Sequence, residues 1–174
     1  MALVRAYKDL TPRIAESCFL ADNCVVIGEV ELGDEVNVWY GAVLRGDCGR
    51  IVIGARTNVQ DLTMIHMTTG ISHTEIGQDV TVGHNVVIHG ARIGDRVLVG
   101  MGSVILDNVE IGDDCLIAAG SVVPPRMKIP ARSLVRGAPA KVIREVNADE
   151  ALLGINGAVS YLGLAREHRR LQQP

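Results

Sequence analysis

An aliphatic residue returns again and again along this chain, at Val26, Leu32, Val38 and Leu44, through Val59, Ile65, Ile76, Val82 and Ile88, and on through Val99, Ile105, Ile111, Ile117 and Val123, with most steps six residues long. That period fits neither an α-helix, which repeats near 3.6 residues, nor a single alternating strand, which repeats at 2. It fits a short strand and a turn used over and over. One such unit cannot bury its own apolar face, so the units stack into a coil around a continuous aliphatic core. The spacing therefore predicts an all-β solenoid, with about five coils and a terminal element accounting for 174 residues. Composition agrees, since 48% of residues are hydrophobic but only 3% aromatic, and a narrow core of stacked Val, Ile and Leu has little room for rings.

The period ends after Val123, where Pro124, Pro125, Pro130 and Pro139 argue against a regular ladder and for an exit segment. From about Ala148 to Leu171 the apolar positions Leu152, Ile155, Val159 and Leu162 recur at three and four, and Asn147 with Glu150 three later reads as a helix start. The expected division is 1–146 for the solenoid with its exit and 147–174 for a C-terminal helix. Gly154, Gly157 and Gly163 weaken that helix, so it should depend on packing against the solenoid or a neighbouring subunit. Its polar tail, Arg166 to Arg170, reads as a solvated face.

A formal charge of −3 and a pI near 5.9 argue against nucleic acid or an anionic membrane as partner. Met1 to Leu10 contain Arg5, Lys8 and Asp9 and no apolar run, so neither a signal peptide nor a membrane span is expected, and the cytoplasm is the expected compartment. Cys18, Cys24, Cys48 and Cys115 form no CxxC pair and read as small hydrophobes kept reduced.

Three histidines, His66, His84 and His89, fall within 24 residues. If three hexads make one coil, as in known β-helices of this repeat, Leu44, Ile65 and Ile88 stack on one face, and Arg45, His66 and His89, each just after its core residue, stack with them. The longer steps from Leu44 to Ile53 and from Ile65 to Ile76 then become insertions beside these polar residues. Val59 and Val82 share another face, which places Asp61 and His84 in a second stack. Strand geometry aims the two stacks in different directions, so one subunit alone should not converge all three imidazoles. Identical solenoids closing around a threefold axis would bring His66 and His89 of one to His84 of the next, and three imidazoles with an open position form a catalytic zinc site. His73 and His168 read as loop and helix residues without that role. Arg45 and Asp61 fit either an interface ion pair or support for the site.

RGD at Arg45 to Asp47, NVQD at Asn58 to Asp61, His66 in MIHM, VGH ending at His84 and IHG containing His89 together resemble the γ-class carbonic anhydrases and their bacterial relatives over nearly the whole chain. The GAPAK segment at Gly137 to Lys141 and the hexad itself are shared with trimeric hexapeptide acyltransferases. The resemblance implies a left-handed parallel β-helix, a homotrimer and a metal at each subunit interface. It further implies His66, His84 and His89 as ligands, Gln60 orienting the metal-bound water, Arg45 and Asp61 paired across the interface, and Asp47 and Asn58 as supports. The expected ion is Zn2+, with Fe2+ or Co2+ also suited to imidazole, and the expected reaction is hydration of carbon dioxide to bicarbonate by hydroxide generated on the metal. Well-studied members carry a carboxylate just after the RGD-like segment and a longer acidic loop after the first ligand. This chain has Cys48 and the short MTTGISHTE loop instead, which leaves Glu75 and His73 as candidates to carry the proton. A noncatalytic metal-loaded trimeric scaffold and a hexapeptide acyltransferase are the alternative readings.

Overall fold

In a computed structural model, which describes residues 1–172, the hexads become two-residue to three-residue strands that stack in parallel, turn upon turn. Gln173 and Pro174, the end of the expected C-terminal segment, lie outside the described residues. Three core ladders run the length of the coil. One joins Leu44, Ile65, Ile88, Ile105 and Val123. A second joins Val38, Val59, Val82, Val99, Ile117 and Val135. The third joins Ile53, Ile76, Ile93, Ile111 and Ile129. Three hexads therefore complete one turn. Nearly all of these side chains are under 5% exposed, and each contributes about 1.5–3 kcal/mol by leaving water.

The first and third ladders belong to one twelve-stranded sheet, because the long strands Val25–Leu32 and Val43–Ile53 run round the corner from one face to the next. At that corner the two strands nearly touch. A Cβ on Gly46 would sit 2.6 Å from the backbone oxygen of Glu29, so the central residue of the RGD segment has no room for a side chain, and Arg45 and Asp47 are displayed on either side of it.

The solenoid has about seven turns rather than five. The additional strands come from both ends. Leu3–Arg5, Arg13–Ile14 and Phe19–Leu20 pair ahead of the first clear hexads, and Lys128–Ile129 and Ser133–Gly137 pair in parallel beyond Val123. Pro124, Pro125 and Pro130 do not stop the ladder, contrary to expectation, because each falls between strands at a turn, where the missing N–H breaks no rung. Only after Gly137 does the chain reverse, and Ala140–Glu145 then pairs antiparallel as an edge strand.

The C-terminal segment is helical, in two pieces, α1 (Ala148–Ala151) and α2 (Leu153–Leu171), with a capping box between Asn147 and Glu150 at the start. Its buried register differs from the expected one. Leu152 and Val159 are exposed, and the inward residues are Gly154, Ala158 and Ala165, with Tyr161 and His168 partly buried. Small residues face inward because α2 presses directly on the sheet: a Cβ at Gly154 would collide with the carbonyl of Arg96, and one at Gly157 with the hydroxyl of Thr81. Four of the five Phe, Trp and Tyr rings gather at this helix, where Phe19, Trp39, Tyr40 and Tyr161 pack with His168. No described helix is long and apolar enough to cross a membrane.

Candidate metal centre

His66 and His89 end the neighbouring strands Met64–His66 and Val87–His89 and are paired in register. Their rings lie 5.4 Å apart, centroid to centroid, at 62°. Arg45 belongs to the same stack one turn earlier, since Leu44 pairs with Ile65. It engages Asp47 within the chain, its Nη1 donating to both carboxylate oxygens at 2.9 and 2.7 Å. Asp47 in turn accepts from Nε2 of His66 at 3.0 Å. Partial burial pushes the Asp47 carboxyl up, but the hydrogen bonds from Arg45 and His66 outweigh it and hold the group below its usual range.

His84 lies in the turn that follows the strand Thr81–Val82 of the helix-covered sheet, two residues past the core position Val82, and its Nδ1 is 2.9 Å from Asp61. The side chains of His66 and His89 are 15% and 29% exposed, whereas that of His84 is 45% exposed. The chain thus brings two of the three imidazoles together and presents the third outward from a different face.

Gln60 and Asn58 sit buried between that sheet and α2, and their hydrogen bonds have a fixed direction. The Thr81 hydroxyl donates to the Gly154 carbonyl in α2 at 2.7 Å, so it accepts from Asn58 Nδ2 at 3.0 Å. Asn58 Oδ1 then accepts from Gln60 Nε2 at 3.0 Å. Because the series is anchored on a backbone oxygen that can only accept, Gln60 is left with its carbonyl oxygen as the unspent group.

Three residues went unmarked in the sequence. Asp107 accepts from Nδ1 of His89 at 3.1 Å, Tyr161 of α2 places its hydroxyl 3.3 Å from Nε2 of His84, and Thr81 locks Asn58. Asp107 follows the core residue Ile105 by two, as Asp61 follows Val59, and that shared offset was the signal available. His73 accepts from the backbone N–H of Arg50 at 3.3 Å, Glu75 pairs with Arg92 at 3.6 Å, and His168 meets the Tyr40 hydroxyl at 2.9 Å.

The donor set suits a divalent ion. Each of His66, His84 and His89 has one ring nitrogen on a carboxylate of its own, Asp47, Asp61 and Asp107 respectively; the second nitrogen of His66 and of His89 is left to ligate, while that of His84 faces the Tyr161 hydroxyl at 3.3 Å. Asp47, Cys48 and His66 also come within 4.8 Å of one another. A cation at that point would face the Arg45 guanidinium already chelating Asp47, so the carboxylate is better placed to hold His66 than to bind metal itself.

A family model described as bacterial transferase hexapeptide (six repeats) matches residues 90–125. The chain is 50% identical to protein YrdA of Escherichia coli, over 85% of this chain and 84% of that one. It is 40% identical to γ carbonic anhydrase 2 of Arabidopsis thaliana mitochondria, over 92% of this chain and 59% of that one. To a carbonic anhydrase of Geobacillus kaustophilus it is 45% identical, over 85% and 81%. The chain belongs to the γ-class carbonic anhydrase family. A solved Bacillus cereus structure carrying an acetyltransferase name superposes on this γ-class chain with a TM-score of 0.95 at 40% identity, covering 98% of this chain and 99% of that one. This γ-class chain carries a carboxylate-supported histidine pair, His66 and His89, with Cys48 following Asp47 directly.

Proposed function

We propose that the protein reversibly hydrates carbon dioxide to bicarbonate at a divalent-metal site shared between subunits of a homotrimer, with His66 and His89 from one subunit and His84 from the next. The observation that carries this reading is the carboxylate on each of these three histidines, a partner that His73 and His168 lack among the described residues. Zn2+ is the first candidate, and Fe2+ or Co2+ would also accept the imidazole set. When bound, such an ion supplies a water acidified to a pKa of about 7.

The chain's own residues prepare the rest. Asp47, Asp61 and Asp107 hold the imidazoles in orientation. Gln60 offers a carbonyl oxygen that is fixed through Asn58 and Thr81, suited to accept a hydrogen bond from the attacking water and so aim its lone pair. Arg45 neutralises Asp47 within the chain and is 39% exposed, so it remains able to meet Asp61 of a neighbour. Cys48 supplies no carboxylate, and Glu75 and His73 are engaged elsewhere, so the proton is expected to leave by way of buffer.

Trimer formation is supported by the corner beside Asp61 and His84. Leu62 is 65% exposed and Met101 57% exposed there, and Leu62 holds a left-handed backbone with φ of 61° on a stack where Gly41, Gly102 and Gly120 occupy other rungs. A bulky apolar side chain in that conformation costs energy and gains nothing from water, whereas a heterologous interface closing on it would bury it next to the site.

The acetyltransferase name of the similar Bacillus cereus structure makes a transferase the second reading, but a general base requires one histidine and not three carboxylate-held ones. Stopped-flow carbon dioxide hydration, metal analysis and coenzyme A calorimetry on one preparation separate the readings. About one ion per subunit with measurable hydration supports the proposal. Metal without hydration at any buffer concentration favours the scaffold, and coenzyme A binding by a metal-free protein favours the transferase.

A further inference from the structure

Asp107 lies one coil beyond His89, and its surroundings connect a surface loop to a proposed ligand. Its Oδ2 accepts from Nδ1 of His89 at 3.1 Å and from the Thr68 hydroxyl at 3.2 Å, and its Oδ1 accepts from the Ser72 hydroxyl. A carboxylate cannot donate, so the His89 proton resides on Nδ1 and the lone pair on Nε2. The loop that supplies the two hydroxyls is closed on itself: the N–H groups of Ile71 and Ser72 donate to the Thr68 carbonyl at 3.1 and 3.2 Å, and the N–H of Thr68 donates to the Ser72 hydroxyl at 3.3 Å. Ser72 is only 4% exposed, unusual for a hydroxyl in a surface insertion.

The loop also crosses directly over the residue after the ligand. Gly90 has φ of 68°, and a Cβ there would collide with both the Ser72 hydroxyl and Asp107. The N–H of Asn108 donates to the Gly90 carbonyl at 2.6 Å, which fixes Asp107 above the His89–Gly90 segment. The glycine of the IHG segment thus makes space for the Ser72–Asp107 hydrogen bond.

We propose that Asp107 is a positioning residue for the metal and that the 67–73 loop, through Ser72 and Thr68, is a strap that holds it in place. Asp107 fixes the tautomer and ring direction of His89, and the strap prevents the carboxylate from turning out to solvent. The short loop after the first ligand carries no acidic proton carrier, and its role is instead to set metal affinity. The inference rests on His89 being a ligand.

The test uses the full chain, with Zn2+ affinity measured against a competing chromophoric chelator, the visible absorption of the Co2+-saturated protein and the unfolding temperature of the apoprotein. Four variants are compared with wild type: His89→Ala, Asp107→Asn, Asp107→Ala and the double variant Ser72→Ala/Thr68→Val. His89→Ala should lose the metal. Both Asp107 variants should weaken Zn2+ binding about 10–100-fold and shift the Co2+ bands, with the apoprotein melting as wild type does. The strap variant should weaken binding in the same direction and by less. If His89→Ala strips the metal while Asp107→Asn binds Zn2+ as tightly as wild type, the positioning role is wrong. Loss of affinity matched by a lower apoprotein melting temperature also overturns it, by making Asp107 a structural residue, and unchanged affinity in the double variant overturns the strap. A His89→Ala protein that keeps its Zn2+ would instead remove the ligand reading underneath.

Discussion

Gln60 shows how far a single side chain is decided by its neighbours. Its amide direction is set by a helix carbonyl three hydrogen bonds away, through Thr81 and Asn58, and the free oxygen that results can orient water without binding an ion. Gln60→Ala should therefore lower the hydration rate by about 10–100-fold while metal content stays at the wild-type level, checked by stopped-flow assay on metal-analysed protein. Cys48 gives a second expectation at this scale. Proton transfer by a positioned group is worth about 10²- to 10⁴-fold, so its absence should make turnover rise with the concentration of an imidazole-type buffer, and Cys48→Glu should reduce that rise. The histidine pair was legible from repeat arithmetic alone, because parallel register follows from the hexad count and puts His89 beside His66. Asp107 was not legible to the same degree. Its contact with His89 depends on a loop folding back over Gly90, and no period predicts that.

At the scale of elements, α2 was harder to read than the strands for a physical reason. Its buried face is made of Gly154, Ala158 and Ala165, residues chosen for close approach rather than hydrophobicity, so the apolar pattern pointed to Leu152 and Val159, which the structure leaves exposed. Prolines misled in the opposite way, since their place in turns between strands lets the ladder continue to Val135. The capping residues were clear. Glu150 is held well below its usual value, at about 2, first by hydrogen bonds from Arg144 and then by the Asn147 backbone N–H. A carboxyl with a depressed folded value adds stability that is fully present above its unfolded value near 4.5 and is lost as pH falls toward 2. Far-ultraviolet helicity of the C-terminal segment should accordingly decline over that window before the solenoid melts, and Glu150→Gln should abolish this step. The effect is expected to be small, since the pair is solvent-exposed.

For the whole molecule, a stacked coil distributes stability over nearest neighbours, so a cavity in any middle turn is felt by the rungs on both sides. Ile88 is fully buried between Ile65 and Ile105, directly before His89. Ile88→Ala should cost about 2–5 kcal/mol by chemical denaturation and lower metal retention as the His89 backbone loses its support. The coil also explains why one chain holds two imidazoles on one face and the third on another, so the proposed metal site would be completed only in an assembly. Mixing variants tests this most directly. His84→Ala keeps the pair on every subunit, and His66→Ala/His89→Ala keeps only the third ligand, so each protein alone should form trimers with little metal. Refolded together in equal amounts, they should recover about a quarter of the wild-type metal content, because one interface in four then joins an intact pair to an intact His84 across a heterologous contact. Full metal in either variant alone, or no recovery in mixed trimers of the correct mass, would contradict a site built between subunits.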